Sequence, residues 1–288
     1  MISTSAAPFV AFFLPVDGAV TNRRFCLFHP AQGQAALGAI LYIHPFAEEM
    51  NKSRRMAAMQ ARAMARAGYS VLQFDLLGCG DSDGDFGEAT WQDWVDDVLR
   101  GCAWLTERVA APLWLWGLRV GCLLAVEAEG RLTVPAHLLF WAPVASGKLA
   151  LQQFLRLKAA GDLASGKAKN VMASLRSTLA QGHPVEIAGY TLATELANGL
   201  DQASLSPSAP KTRSERSCRL EWLDLTTREA STLSPATANA LHAWNANSSF
   251  VARGHMVPGP AFWQTTEIED APNLIEATML ALREDNTP

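Results

Sequence analysis

The feature that most constrains the fold of this chain is a regular alternation of short apolar runs with helical stretches from about residue 36 onward. The apolar runs are 39–43, 69–74, 113–116 and 136–141, and the helical stretches between them are 56–67, 91–108 and 122–129. Most positions of these runs are apolar, without a strict polar alternation, which is typical of strands buried on both faces. The alternation therefore predicts a parallel sheet with helices on both faces, joined by right-handed crossovers.

The remaining segments complete this architecture. Residues 9–14 and 23–28 are strand-like and are expected to be antiparallel at the sheet edge, while 219–224 and 249–252 are the last two strands. The segment 146–210 is rich in Leu, Ala, Lys and Ser and lacks a clear buried strand. We therefore predict one α/β domain over 1–288, with about eight mostly parallel strands and a helical lid inserted at 146–210.

Composition excludes several classes of function. The net charge is −4 with 18% charged residues, so we expect no binding to a phosphate backbone and no nucleic-acid partner. Five scattered cysteines form no C-x-x-C pair and no dinucleotide fingerprint is present, so we expect no disulfide framework, metal or cofactor. The most apolar stretch, 113–126, is too short to span a bilayer, which favours a soluble, cytoplasmic protein.

A glycine-flanked turn lies between the run 113–116 and the helix 122–129. Its sequence is Gly117-Leu118-Arg119-Val120-Gly121, the strand–turn–helix context in which a G-x-S-x-G motif forms a nucleophile elbow. The glycines permit close approach of strand and helix, and the central residue projects above the sheet in a strained conformation. The central residue here is Arg119 rather than serine.

The segment that follows the first central strand occupies the place of an oxyanion loop. It reads His44-Pro45-Phe46-Ala47-Glu48-Glu49. The backbone N–H of Val120, with that of Phe46 or Ala47, is a candidate oxyanion donor, whereas Pro45 has no N–H. We also place Glu48 among the candidate substrate-binding residues. The glycine-rich turn 75–82 is interpreted as structural.

Two late residues fit the positions of an acid and a histidine. Asp224 ends the strand 219–224, and His255 follows the strand 249–252. In chain order, an acid and then a histidine after the elbow match a hydrolase triad, so we predict that Asp224 orients His255. Glu229 and Asp201 are weaker candidates for the acid.

Taken together, these motifs resemble the α/β-hydrolase superfamily over nearly the whole chain. More narrowly, the segment 44–55, Gly117-Leu118-Arg119 and the segment 260–268 resemble the second type of exosortase A system-associated hydrolase. Proteins of that type are bacterial and are encoded with exopolysaccharide and PEP-CTERM protein-sorting genes. The resemblance implies a hydrolase that serves envelope polysaccharide assembly, acting on an anionic ester, a thioester or an acylated sugar.

An arginine at the elbow changes the chemistry that is available. The guanidinium of Arg119 stays protonated and is not a nucleophile, so an acyl-serine mechanism at residue 119 is excluded. In one alternative, Arg119 binds an anionic group and His255 activates water as general base. In a second, another side chain is the nucleophile. The candidates are Cys122, Cys79 and Ser82.

In a third alternative, Arg119 pairs with Glu48 or Glu49 and fills the site, which would make the protein a non-catalytic binder of a ligand or partner. Two aromatic residues after His255, Phe262 and Trp263, either pack onto the core or form an aromatic wall of the pocket.

Overall fold

The computed structural model describes residues 9–16, 22–163, 168–207, 218–228 and 232–283. The strands in this part of the chain are β1 (Val10–Pro15), β2 (Arg23–His29), β3 (Gly38–Ile43), β4 (Tyr69–Phe74), β5 (Leu113–Leu118), β6 (Ala136–Trp141), β7 (Val185–Ile187), β8 (Tyr190–Leu192), β9 (Cys218–Thr226) and β10 (Phe250–Pro258). The α-helices are α1 (Glu48–Arg66), α2 (Trp91–Arg108), α3 (Gly121–Arg131), α4 (Gly147–Leu163), α5 (Ala168–Ala180), α6 (Thr194–Gln202), α7 (Pro235–Asn245) and α8 (Pro272–Arg283).

Eight of these strands form one sheet in the order β1-β2-β4-β3-β5-β6-β9-β10. The pairs β1–β2 and β2–β4 are antiparallel, and every other pair in the sheet is parallel. The predicted eight-stranded, mostly parallel sheet with an antiparallel edge is therefore confirmed.

Alternate residues of the central strands enter two separate apolar cores. Leu41 and Leu115 belong to the core beneath α2 and α3, whereas Tyr42 and Trp116 belong to the core beneath α1 and α8. Because both faces are covered, most positions of the central strands are apolar, and β3 and β5 carry no polar side chain besides the Tyr42 hydroxyl and the indole N–H groups of Trp114 and Trp116. Tyr42 and Trp116 lie with ring centroids 4.4 Å apart, so large aromatic side chains fill the second core.

The described part of the segment between β6 and β9 contains three helices, α4 to α6, and the prediction for 146–210 was helical. It also contains a short antiparallel hairpin. The hairpin consists of β7 and β8 and was not predicted, because three-residue strands are too short to show a period of two. Val185, Ile187 and Leu192 of the hairpin are buried in the first core. Residues 164–167 and 208–210 of the predicted lid lie outside the described ranges.

Helix α1 begins at Glu48, well before the predicted start at Met56. The apolar helical period begins only near Met56, so the first two turns are polar and carry no periodic signal. Glu48 and Glu49 lie in the first turn, where negative charge interacts favourably with the helix dipole. The start matters because it aims the first turn of α1 at the carboxyl end of the sheet.

In the described ranges, the structure contains no helix that is both long enough and apolar enough to cross a membrane.

Candidate functional site

The turn at Arg119 has the geometry of a tight strand-to-helix connection. Arg119 has φ 55°, a conformation that non-glycine residues rarely adopt, and its backbone N–H donates to the carbonyl of Trp141 at 3.0 Å. A Cβ atom added to Gly121 would lie 2.2 Å from the carbonyl oxygen of Ile43. The glycine therefore allows α3 to start directly against the end of β3, and the turn presents Arg119 at the carboxyl edge of the sheet.

The guanidinium of Arg119 is held by three groups. Nε donates to Oε1 of Glu49 at 3.4 Å, and Nη1 donates to the carbonyl of Ala142 at 3.2 Å. The carbon Cζ lies 5.1 Å from the ring centroid of Trp263. No hydrogen bond among the described residues uses Nη2, and the side chain is 12% exposed. Arg119 is thus fixed in place with donor capacity remaining.

Arg119 forms part of the wall of a cavity of about 430 Å³. The cavity lies between the sheet edge, α1 and α4. Its polar lining residues are Glu48, Glu49, Lys52, Arg119, Gln153 and Gln264, and its apolar ones are Phe46, Val120, Val144, Ala150, Phe154, Leu157 and Trp263. This volume is within the range of small-molecule sites in proteins. The Arg119–Glu49 pair therefore does not fill the site.

Of the two candidate partners of Arg119, Glu48 and Glu49, it is Glu49 that pairs with the guanidinium. Burial raises the pKa of the Glu49 carboxyl, and Arg119, Gln264 and Lys52 oppose that shift. Glu48 instead accepts a hydrogen bond from the hydroxyl of Tyr190 in β8 at 3.3 Å. Glu48 therefore connects α1 to the β7–β8 hairpin, and Glu49 interacts with the elbow.

The predicted oxyanion donors lie at two helix starts. Ala47 has φ 49° and precedes α1, and Val120 precedes α3; neither start has a side-chain cap. Among the described residues, the backbone N–H groups of Phe46, Ala47 and Val120 donate no hydrogen bond. Phe46 and Val120 line the cavity. These two helix starts are arranged to favour negative charge in the cavity.

His44, which opens the same loop, is buried and structural. Its Nδ1 donates to the carbonyl of Pro45 at 2.8 Å, and its Nε2 accepts from the backbone N–H of Leu76 at 3.2 Å. Burial lowers the pKa of His44, which keeps the ring neutral. This histidine fixes the loop against the end of β4.

The predicted pairing of Asp224 with His255 is not present. His255 Nε2 lies 2.8 Å from Oε2 of Glu221, whereas Asp224 accepts from Trp222 Nε1 at 3.0 Å and from the Thr237 hydroxyl at 2.7 Å. Both residues lie inside strands that are longer than predicted, β9 and β10.

The physical reason is the alternation of side chains along a strand. Asp224 follows Trp222 at a spacing of two, on the face of the first core, and His255 contacts Glu221, which faces the other way. Neither Asp224 nor His255 lines the cavity. The catalytic roles that the sequence suggested for them thus have no support from their positions.

The alternative acids also lie elsewhere. Asp201 is on α6 and does not line the cavity, and Glu229 is outside the described residues. The described part of the chain contains no cluster of His, Cys, Asp and Glu side chains suited to a metal ion.

The alternative nucleophiles are buried in structural positions. Burial raises the pKa of the Cys122 and Cys79 thiols well above the ordinary value, so neither is a thiolate near neutral pH. The Ser82 hydroxyl donates to the carbonyl of Asp75 and accepts from the N–H of Phe25, as expected for a structural turn. None of the three lines the cavity.

Sequence reasoning missed several residues of the cavity. The inner face of α4 was not singled out. Lys52 and Gln264 lie in the segments 44–55 and 260–268, which carried the family resemblance, but neither was proposed as a site residue. Trp263 satisfies both interpretations of its loop, since it packs in the second core and also forms part of the cavity wall beneath Arg119.

Comparisons with known proteins bear on the fold. The family model described as X-Pro dipeptidyl-peptidase (S15 family) matches residues 24–151. A curated relative, the lysophosphatidylserine lipase ABHD12 of Danio rerio, is 30% identical over 115 residues. That match covers 38% of this chain and spans only 29% of the lipase.

Solved structures match over almost the full length of the chain. Est1E from Butyrivibrio proteoclasticus, solved with ferulic acid, has a TM-score of 0.65 at 13% identity and covers 96% of this chain and 100% of its own. A monoglyceride lipase variant from Saccharomyces cerevisiae has a TM-score of 0.59 at 12% identity, covering 98% and 96%. The serine hydrolase XC6422 from Xanthomonas campestris has a TM-score of 0.55 at 16% identity, covering 97% of each. The chain therefore has the α/β-hydrolase fold.

Proposed function

We propose that this protein binds an anionic, acyl-bearing small molecule non-covalently in the cavity above the elbow. The observation that carries the proposal is the guanidinium of Arg119, fixed on the wall of an open cavity by Glu49, Ala142 and Trp263. A carboxylate, phosphate or sulfate would accept from the remaining N–H groups of Arg119. The two uncapped helix starts at Ala47 and Val120 favour the same charge.

The rest of the cavity suits an acyl chain. Its wall beyond Arg119 is formed by Val144 and by the inner residues of α4, Ala150, Phe154 and Leu157. Burial of such a chain contributes about 0.8 kcal/mol per methylene group. An anionic head at Arg119 and an apolar tail along α4 would therefore each add to the affinity.

Titration calorimetry with octanoate, octyl phosphate and octanol tests the proposal, because the chain length is held constant while the head group changes. We expect both anions to bind more tightly than octanol. Arg119→Ala should weaken the anions about ten- to a hundredfold and leave octanol nearly unchanged. Arg119→Lys, which keeps the charge but not the planar fork, should be intermediate.

The matched control is Arg131→Ala, at the far end of α3, where the arginine pairs with Glu127 on the surface. This variant should bind like the wild type. Equal affinity for anion and alcohol, or anion binding that survives Arg119→Ala, would refute the proposal.

A second candidate function is hydrolysis of an anionic ester, a thioester or an acylated sugar by water. The observation that favours it is Glu49, a cavity carboxyl with a raised pKa beside Arg119. Glu49 would accept a proton from water as the oxygen attacks the acyl carbon, and the N–H groups of Val120 and Phe46 would stabilise the oxyanion. Glu49 would then return the proton to the leaving oxygen or sulfur.

Turnover of octanoyl esters and thioesters distinguishes the two functions. If hydrolysis occurs, it should be lost in Glu49→Gln and retained in His255→Ala, because His255 contacts Glu221 outside the cavity. Covalent labelling of the wild type by a fluorophosphonate would reveal an activated serine and would contradict both candidates.

The motif resemblance supports a place for either activity in a bacterial exosortase A and exopolysaccharide system, at the cytoplasmic side of the membrane. In a deletion strain, we expect altered acylation of the surface polysaccharide that is restored by the wild-type gene and not by Arg119→Ala. Full restoration by Arg119→Ala would argue against a role for the cavity in that system.

A further inference from the structure

Charge is distributed very unevenly along this chain. The segment 146–180 contains six Lys or Arg residues and one Asp, a net charge of +5. The whole chain carries −4, so all the other residues together carry −9. A strongly basic segment within an acidic protein is typical of a surface that meets an anionic partner.

In the structure, this segment contributes α4 and α5, and four of its cations in the described part lie on the outside. Lys148, Arg156 and Lys158 of α4 and Arg176 of α5 are exposed. No ion pair between described residues includes any of these four. Residues 147–158 contain no acidic side chain, so every charged side chain in this part of α4 is a cation.

Two large apolar side chains are exposed among these cations. Leu149 is 48% and Leu157 is 50% exposed. At helical spacing, Leu149, Arg156 and Leu157 lie on neighbouring parts of one face, with Lys148 beside them. Leucines that project between cations on a helix surface are characteristic of helices that lie on a membrane interface.

This outer face is continuous with the cavity. Leu157 and Gln153 are exposed and also line the cavity, while Ala150 and Phe154 of the same helix form its inner wall. A molecule that left a surface in contact with α4 would therefore meet the cavity opening directly.

We propose that the outer face of α4, with Lys148, Leu149, Arg156 and Leu157, docks onto the surface of an anionic lipid bilayer. The exposed Lys158 lies on an adjoining side of the helix and adds to the positive charge near the surface. The cations contact lipid phosphates, and the two leucines enter the interface between head groups and acyl chains. A nucleic acid or an acidic protein could match the charge. A bilayer also takes up the exposed Leu149 and Leu157, and Leu157 lines the cavity that would receive an acyl chain. The proposal goes beyond ligand binding at Arg119 and does not require it.

Vesicle flotation tests the docking surface. We expect the wild type to bind vesicles of phosphatidylcholine with about 30% phosphatidylglycerol, and to bind pure phosphatidylcholine at least tenfold more weakly. The triple variant Lys148→Gln, Arg156→Gln, Lys158→Gln should lose about a hundredfold in binding to the anionic vesicles. Leu149→Ser should lose about tenfold without any change in charge.

Matched controls remove the same groups elsewhere. Arg66→Gln, Arg228→Gln, Arg283→Gln removes three exposed cations outside the segment, and Leu280→Ser removes a leucine on α8 that is 62% exposed. Both controls should bind like the wild type. Equal loss in the controls, or equal binding to neutral and anionic vesicles, would overturn the proposal. The proposal would also be overturned if Leu149→Ser bound anionic vesicles as well as the wild type did, and if the wild type bound polyuridylate or polyglutamate as tightly as it bound those vesicles.

Failure of docking can be separated from failure of the cavity. Arg119→Ala should keep full binding to anionic vesicles, and the triple variant should keep octanoate binding in solution. Loss of vesicle binding in Arg119→Ala would place the lipid contact in the cavity rather than on the face of α4, and would overturn the docking surface.

Discussion

Arg119 and Glu49 form the central contact of the site, and each changes the chemistry of the other. The carboxylate lies 3.4 Å from the guanidinium, within a cavity that raises the pKa of the carboxyl. An anionic ligand on Arg119 must therefore compete with Glu49 whenever Glu49 is ionised. Protonation of Glu49 removes that competitor, and the ligand keeps its own charge if it is a strong acid.

This competition predicts the pH dependence of binding. Affinity for octyl sulfate, which stays ionised, should increase as the pH falls through the raised pKa of Glu49. Glu49→Gln should bind more tightly at neutral pH and lose most of the dependence, as measured by calorimetry across the pH range. His255→Ala should keep the wild-type slope, because His255 does not line the cavity. An unchanged slope in Glu49→Gln would contradict the competition.

At the scale of elements, the site depends on the close contact between α3 and β3. Gly121 makes that contact possible, because any side chain there would meet the backbone of Ile43 rather than a movable side chain. A backbone clash cannot be relieved by a rotamer change, so either α3 or the loop after β3 would have to move.

Gly121→Ala is therefore expected to destabilise the protein by about 3 kcal/mol or more in urea unfolding. Gly259→Ala is the matched control. The nearest atom to its added Cβ would be Cδ2 of Leu225 at 2.8 Å, the far end of a flexible side chain, and the expected cost is about 1 kcal/mol. Similar costs for both variants would show that the elbow can relax.

The strands also explain which part of the site could be predicted. The elbow and the loop 44–49 are local motifs, and their glycines and chain order place them at the sheet edge. The pairing of Asp224 with His255 depended on where β9 and β10 end, and strand ends are poorly marked in a sequence. The alternation held a usable signal, because Asp224 shares the parity of the buried Leu220 and Trp222.

At the scale of the whole molecule, Asp97 joins the antiparallel edge to the parallel part of the fold. Its Oδ2 accepts from Arg24 Nε in β2 at 2.7 Å and from the backbone N–H of Leu77 after β4 at 2.8 Å. Asp97 and Arg24 are both buried. Loss of one partner of such a pair leaves an uncompensated buried charge.

Asp97→Asn is expected to lower the free energy of unfolding by about 3–5 kcal/mol. Asp83→Asn breaks the neighbouring ion pair with Arg23. Both side chains of that pair are accessible to solvent, so this variant should change the free energy of unfolding far less. Chemical unfolding monitored by tryptophan fluorescence measures both. A small effect of Asp97→Asn would show that the edge strands are held by apolar contacts alone.

The overall architecture was predictable because both faces of the central strands are buried, so the apolar runs stand out from the amphipathic helices. The cavity was not predictable, because its inner wall is formed by α4, which comes into contact with the sheet edge only in the folded protein. No local pattern distinguishes Phe154, which lines the cavity, from Leu155, which is buried in the core.

The backbone conformation at Arg119 reverses the usual order of stability between alanine and glycine variants. A variant with alanine at a given position is normally more stable than one with glycine. At φ 55°, however, a Cβ atom comes too close to the backbone, and glycine has no Cβ. Arg119→Gly should therefore melt at a higher temperature than Arg119→Ala, with a free energy of unfolding about 1 kcal/mol larger, although neither variant retains the guanidinium. The difference measures the stability that the chain forgoes to keep a side chain at this turn, and selection for stability alone would favour glycine there.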